Sequence, residues 1–174
     1  MKLAGKNIVL TGASSGIGKE MLNILSSMTD AKIIAVARHI ENIPFEEGVI
    51  YPFAADVSMP EGVDNVFDYA QRTLGNIDVF IANAGFAYLE KLSVPDWKHI
   101  EYIYNLNVFS PIYSLEKLQE QSNGLQATFV CTISVPFRGR DLLHCLPTRF
   151  IALQRRLCIT LCKRIGMSKK RACS

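Results

Sequence analysis

Nothing in this chain of 174 residues approaches the ~18 consecutive apolar residues that a membrane span requires. The opening MKLAGKNIVL has too short an apolar stretch before TGASSG to act as a secretion signal. Cysteine is scarce where the sequence is richest in apolar runs, because four of the five cysteines follow residue 134. A disulfide framework is therefore not expected, and the expected setting is the cytoplasm, with the cysteines as thiols. No tyrosine follows Tyr113 and no glutamate follows Glu120. Charged residues at 20% and hydrophobic residues at 49% exclude a disordered polymer. The length suits one domain with a core of its own. There is no internal repeat and no low-complexity segment.

What is present falls into two compositions. Residues 1–134 hold nine Lys/Arg against fifteen Asp/Glu, whereas residues 135–174 hold ten Lys/Arg against the single Asp141. The net charge of +3 hides this seam near Ser134.

Before the seam, short β-branched apolar runs alternate with stretches of helical periodicity. Strands are expected near residues 7–11, 32–37, 50–55, 78–83 and 127–133. Between them, Ile17, Met21, Ile24, Leu25 and Met28 recur at helical spacing, as do Val63, Val66, Phe67 and Ala70, and a long helix is expected from about Asp96 to Gln121. Continuous apolar strands separated by helices predict an α/β fold, a Rossmann-like doubly wound parallel sheet in the spatial order 3-2-1-4-5.

The first strand runs into Thr11-Gly12-Ala13-Ser14-Ser15-Gly16-Ile17-Gly18, and a helix follows. Glycines there let the backbone turn sharply and approach a pyrophosphate, whose charge is met by the free N–H groups of the helix N-terminus. An ordinary Gly/Ser turn has a similar composition, but the strand–loop–helix context favours phosphate binding. At the second strand's tip stand Ala37-Arg38-His39, with no acid to receive a ribose 2′-hydroxyl. Arg38 suits a 2′-phosphate instead, which makes NADP the preferred cofactor over NAD.

The TGxxxGxG spacing resembles that of the classical short-chain dehydrogenase/reductase family, and further landmarks follow in the family's order across residues 5–134. Asp56-Val57 after the third strand matches the family's adenine contact. Asn83-Ala84-Gly85 after the fourth resembles its NAG motif beside the cofactor. Asn107 matches its structural and catalytic Asn, and Ser134 its catalytic Ser. The resemblance implies cofactor binding by Gly12, Ser14, Ser15, Gly16, Ile17, Gly18, Arg38, Asp56, Val57, Asn83, Ala84 and Gly85, with no metal. It implies alcohol/carbonyl interconversion by hydride transfer, and a small alcohol or carbonyl compound as substrate.

The family's chemistry also needs a Tyr that exchanges a proton with the substrate oxygen, and a Lys four residues later that lowers its pKa. Both should follow Ser134 by about a dozen residues, in the family's spacing, and neither is there. One Tyr-x-x-x-Lys exists, Tyr113 to Lys117, but it precedes Ser134 and reads as the surface of an amphipathic helix. Joining the last base of each codon over 150–158 to the first two of the next permits the spelling Tyr-Ser-Ala-Ser-Lys-Ala-Ala-Leu. The expectation is that residues 135–174 are an atypical basic tail read out of frame, leaving the Rossmann domain of residues 1–134 incomplete on its C-terminal side.

Taken as written, Phe150, Leu153, Leu157, Leu161 and Ile165 share one helical face with basic residues opposite. Packing of that face on the sheet, or an unstructured end, is expected before any nucleic-acid or membrane partner. Cys158 and Cys162, with His144 and Cys145, lack the tight paired spacing of a zinc site. The leading reading is an NADP-preferring oxidoreductase with impaired turnover. The alternative is a non-catalytic dinucleotide-binding or regulatory protein whose basic tail recruits a partner. Family members commonly form homo-oligomers through the long helix and its neighbour, and the neighbour is missing here.

Overall fold

The computed structural model describes residues 3–28, 30–86, 96–122 and 127–131. The seam at Ser134 and the tail at 135–174 lie outside the described residues.

Five parallel strands form one sheet: β1 (Asn7–Thr11), β2 (Lys32–Ala37), β3 (Ile50–Ala54), β4 (Val79–Ala82) and β5 (Thr128–Cys131), in the order β3-β2-β1-β4-β5. This is the predicted order, and the strand positions agree to within two residues at either end. Helices α1 (Gly16–Met28), α2 (Pro60–Leu74), α3 (Trp97–Tyr104) and α4 (Ser110–Ser122) flank it. The chain steps outward from β1 to β2 and β3, then crosses back past β1 to β4 and β5, which places the glycine loop at the carboxyl end of the central strand.

Strand periodicity sorts the core into two layers. Ile8 and Leu10 of β1 point to the layer that holds Met21, Leu22 and Leu25 of α1, with Ile33, Ala35, Val79 and Ile81. Val9 points the other way, with Ile34, Val36 and Phe80, against Val63, Val66, Phe67 and Ala70 of α2 and Leu118 of α4. Ile8, Val9 and Leu10 are fully buried, as a strand covered on both faces requires. The rings of Phe67, Phe80 and Phe129 stack in sequence at 5.2 and 5.7 Å between centroids, tying α2 across β4 to β5.

Two details depart from the sequence pattern. Ile17 belongs to the apolar spacing of α1 but is 43% exposed, whereas Leu22, outside that spacing, is buried in the core. The long helix expected from Asp96 is broken by a π-helical turn, Asn105–Phe109, between α3 and α4. Its start does follow local chemistry: the Asp96 side chain accepts a hydrogen bond from the His99 N–H and caps α3.

At the opposite, amino-terminal edge of the strands, Lys6 Nζ and the Asn7 N–H donate to the Asp78 carboxylate at 2.8 and 2.9 Å. Burial raises the pKa of this carboxyl, but the Asn7 and Lys6 interactions outweigh it and hold the group below its ordinary value. Among the described residues, no helix is long and apolar enough to cross a membrane.

Helix α2 begins against the chain that leaves β3, and the approach is too close for a side chain at Gly62. A Cβ there would lie 1.9 Å from the Asp56 carbonyl oxygen. Helix propensity alone would make Gly62→Ala stabilising by ~1 kcal/mol, whereas forcing backbone apart typically costs ~1–3 kcal/mol. The overlap is with backbone that cannot rotate away, so the steric effect wins. We expect Gly62→Ala to lower stability by about 1–2 kcal/mol, read as a lower urea midpoint; an unchanged or higher midpoint would show that the loop yields freely.

Candidate functional site

The site starts from the end of β1. Gly12 adopts a left-handed φ of 69°, and a Cβ on it would lie 2.8 Å from the Ala84 Cα. A Cβ on Gly18, in the first turn of α1, would lie 2.0 Å from the Gly12 carbonyl oxygen. Glycine at both positions lets α1 dock on the loop and lets the loop dock on the end of β4. The first turn of α1 carries no acidic side chain, so the positive end of its dipole is not neutralised there.

Thr11 and Asn83 hold the tips of the two central strands together. The buried Thr11 hydroxyl accepts from the Asn83 and Ala84 N–H groups, both at 3.0 Å, and lies 3.4 Å from the Ile81 carbonyl, to which it donates. In return, Asn83 Nδ2 donates to the carbonyls of Thr11 and Gly12 at 3.1 and 3.3 Å. The Ala13 N–H donates to the Val36 carbonyl, which fixes the loop to β2 as well.

A cleft of about 400 Å³ opens at these strand ends, within the ~300–1,000 Å³ of small-molecule and cofactor sites. All twelve residues expected at the cofactor line it: Gly12, Ser14, Ser15, Gly16, Ile17, Gly18, Arg38, Asp56, Val57, Asn83, Ala84 and Gly85. The exposure of Ile17 is thus exposure to the cleft wall. The sequence reading missed Val36, Ala37, Ala55, Tyr102 and Leu106, which complete the lining. Tyr102 and Leu106 lie four positions apart on the helix leading to Asn107, a spacing that could have flagged them.

At one end of the cleft, the Ser58 N–H and hydroxyl both donate to Asp56 Oδ1, at 3.0 and 2.7 Å, and so orient the carboxylate. Also lining the cleft, Arg38 Nη1 donates to the Tyr102 hydroxyl at 2.8 Å, with the guanidinium carbon 5.9 Å from the Tyr102 ring centre.

Asn107 does not line the cleft. It is buried in the π-helical turn, where Oδ1 accepts from the Phe86 N–H at 2.9 Å and Nδ2 donates to the Phe86 carbonyl at 2.7 Å. That bidentate pairing fixes the backbone of Phe86, next to Gly85. Ser134, the other expected catalytic residue, lies outside the described residues. Cys131, at the end of β5, is no substitute nucleophile, because burial pushes its thiol pKa up to about 11.

Tyr113 and Lys117 are turned to a different task. The Tyr113 hydroxyl donates to Asp64 Oδ1 of α2 at 3.0 Å, and Lys117 Nζ pairs with the same oxygen at 2.9 Å. The hydrogen bond to Asp64 raises the Tyr113 pKa, and the bonds from Lys117 and Tyr113 lower that of Asp64. A proton-transferring tyrosine needs the reverse shift. The pair ties α4 to α2, and neither member lines the cleft.

Comparison with known proteins places this geometry in a wider set. The family model described as short chain dehydrogenase matches residues 6–135. An uncharacterised oxidoreductase of Staphylococcus saprophyticus is 32% identical over 118 residues, covering 63% of this chain and 46% of that protein. An NADP-dependent 3-hydroxy acid dehydrogenase of Schizosaccharomyces pombe is 36% identical over 94 residues, covering 49% of this chain and 36% of that one. The crystal structure of a short-chain type dehydrogenase/reductase from Mycobacterium marinum superimposes with a TM-score of 0.68 at 26% identity, over 76% of this chain and 56% of its own. The chain thus spans about half or less of the length of these curated relatives.

The Asn107 pairing sets up a direct test. Asn107→Leu preserves bulk but removes the two side-chain hydrogen bonds to the Phe86 backbone, at a cost of about 1–3 kcal/mol. The expected outcome is a lower thermal midpoint. An unchanged midpoint would mean that water replaces the amide at no cost.

Proposed function

The chain belongs to the short-chain dehydrogenase family, and from that premise we propose that its cleft binds a nicotinamide dinucleotide, NADP in preference to NAD, in the service of alcohol/carbonyl interconversion. The observation that carries this reading is the union of two features in one cleft: the glycine loop with the N-terminus of α1, and the pair Arg38 and Asp56, all line it.

The residues present fit such a cofactor. Gly12 and Gly18 keep clear of side chains a surface that a pyrophosphate can approach, beside an unneutralised helix N-terminus. Asp56, oriented by Ser58, offers a carboxylate oxygen to an amino group. Arg38 offers a fixed positive charge to a 2′-phosphate. The NADP dependence of the fission-yeast relative agrees with this assignment.

When bound, the nicotinamide supplies or accepts a hydride. On the protein side, Asn107 braces the Phe86 backbone next to Gly85, and Ser134 is the proposed group that positions the substrate oxygen. No tyrosine stands in the sequence after Tyr113, and Tyr113 itself is committed to Asp64. General acid–base help is worth roughly 10²–10⁴-fold, so binding without efficient carbonyl reduction is the expected behaviour of this sequence.

Fluorescence titration with NADPH and NADH checks the proposal. NADPH is expected to bind more tightly, and Arg38→Asp to weaken NADPH about tenfold or more while changing NADH little. Equal losses for both would remove Arg38 from cofactor choice. Robust NADPH oxidation abolished by Ser134→Ala would reveal a proton donor other than the absent tyrosine.

A further inference from the structure

Tyr102 reaches the cleft from α3, whereas Arg38 stands just past β2. Its position is over-determined. Its ring packs edge-on against Phe86, 6.0 Å between centroids at 71°, and the Phe86 backbone is in turn held at both polar atoms by Asn107. At the outer end its hydroxyl oxygen accepts from Arg38 Nη1. A phenol oxygen that accepts a hydrogen bond still has its own proton to give, and no acceptor for that proton is found among the described residues.

From this arrangement we infer that Tyr102 and Arg38 form one two-donor subsite for a phosphomonoester, the 2′-phosphate of the dinucleotide. Arg38 supplies charge and its remaining N–H groups. Tyr102 supplies a neutral O–H and holds the guanidinium on an otherwise exposed side chain in one place. A free surface arginine loses considerable side-chain entropy when it orders around a ligand. The hydrogen bond and the ring contact at 5.9 Å limit that loss before the ligand arrives. The inference rests on the reading of the cleft as a dinucleotide site and adds a specificity-determining residue to it. A second recognition group from a different element also makes discrimination depend on how α3 is seated, not on the β2 tip alone.

The test uses binding alone, with adenosine 2′,5′-bisphosphate and adenosine 5′-monophosphate as probes, followed by calorimetry on the full chain and on Tyr102→Phe, Arg38→Ala and the double variant. Phenylalanine keeps the ring against Phe86 and removes only the hydroxyl. The expected result is about a five- to tenfold loss for the bisphosphate in Tyr102→Phe, no change for the monophosphate, and non-additivity with Arg38→Ala confined to the bisphosphate. If Arg38→Ala weakens the bisphosphate selectively while Tyr102→Phe leaves it unchanged, arginine acts alone and the inference falls while the cofactor reading stands. If Tyr102→Phe weakens both probes equally, Tyr102 is only part of the adenine wall and the inference also falls. If neither variant separates the two probes, the assignment of the 2′-phosphate to this end of the cleft fails with it. A tightening of both probes in Tyr102→Phe would identify the pair as an obstruction to binding, again overturning the proposal.

Discussion

The Thr11 hydroxyl gathers the Asn83 and Ala84 N–H groups at the carboxyl ends of the two central strands, where sheet pairing has run out. Both donors have left the β ladder, the Asn83 N–H being shared with the Ile81 carbonyl, and N–H groups that find no acceptor cost free energy of the same order as a lost hydrogen bond. One side-chain oxygen meets both. With the Asn83 amide bonding back to Thr11 and Gly12, the tips of β1 and β4 are fixed at a spacing that admits a glycine but no larger residue. The rest of the cleft is built outward from this point: the loop over Gly12, α1 docked through Gly18, and the segment after Gly85 that carries Phe86.

Much of this was legible in the residues. Continuous β-branched runs such as Ile33–Ala37 announce buried parallel strands, and the right-handed crossover rule then leaves few orders for five of them. The twelve expected cleft residues come from strand ends, the loops after them and the first turn of α1, where chain order and spatial order coincide in a doubly wound sheet. Of what escaped, Val36, Ala37 and Ala55 are strand-end neighbours of expected residues, and the other two came from elsewhere. Tyr102 and Leu106 sit on a helix, and helical periodicity cannot say which face meets a cleft and which meets the core. Ile17 shows the converse, since it keeps the apolar spacing of α1 while facing the cleft. Gly62 carries no signal in the sequence, because its constraint is a contact with the Asp56 carbonyl that no local pattern encodes.

Tyr113 and Lys117 illustrate why spacing alone does not make chemistry. Their i,i+4 relation is that of a tyrosine with its activating lysine, yet the shared partner Asp64 reverses the electrostatics. The carboxylate draws the lysine's charge to itself and holds the phenol proton in place. The same two residue types thus serve adhesion between α2 and α4. Asn107 shows a related economy, because a residue expected at the reacting centre acts in this structure as a brace for the Phe86 backbone, seated in a π-helical turn that alters the helical register at that position.

The bond from Asn83 to Thr11 joins positions 72 apart in sequence. Strands β1, β2 and β3 and helix α1 are complete by Ala54, and their pairings can form while later residues are still being synthesised. Until Asn83 and Ala84 emerge, however, the Thr11 hydroxyl has no amide donors to gather and one wall of the cleft is missing. A chain on the ribosome therefore passes through a period in which half the sheet is present but the site cannot close, and β1, destined for the centre, is an open edge. The fully apolar Ile8-Val9-Leu10 makes that edge attractive to other strands, so the stretch from Ala54 to Ala84 is translated while the sheet's central strand stands uncovered on one side.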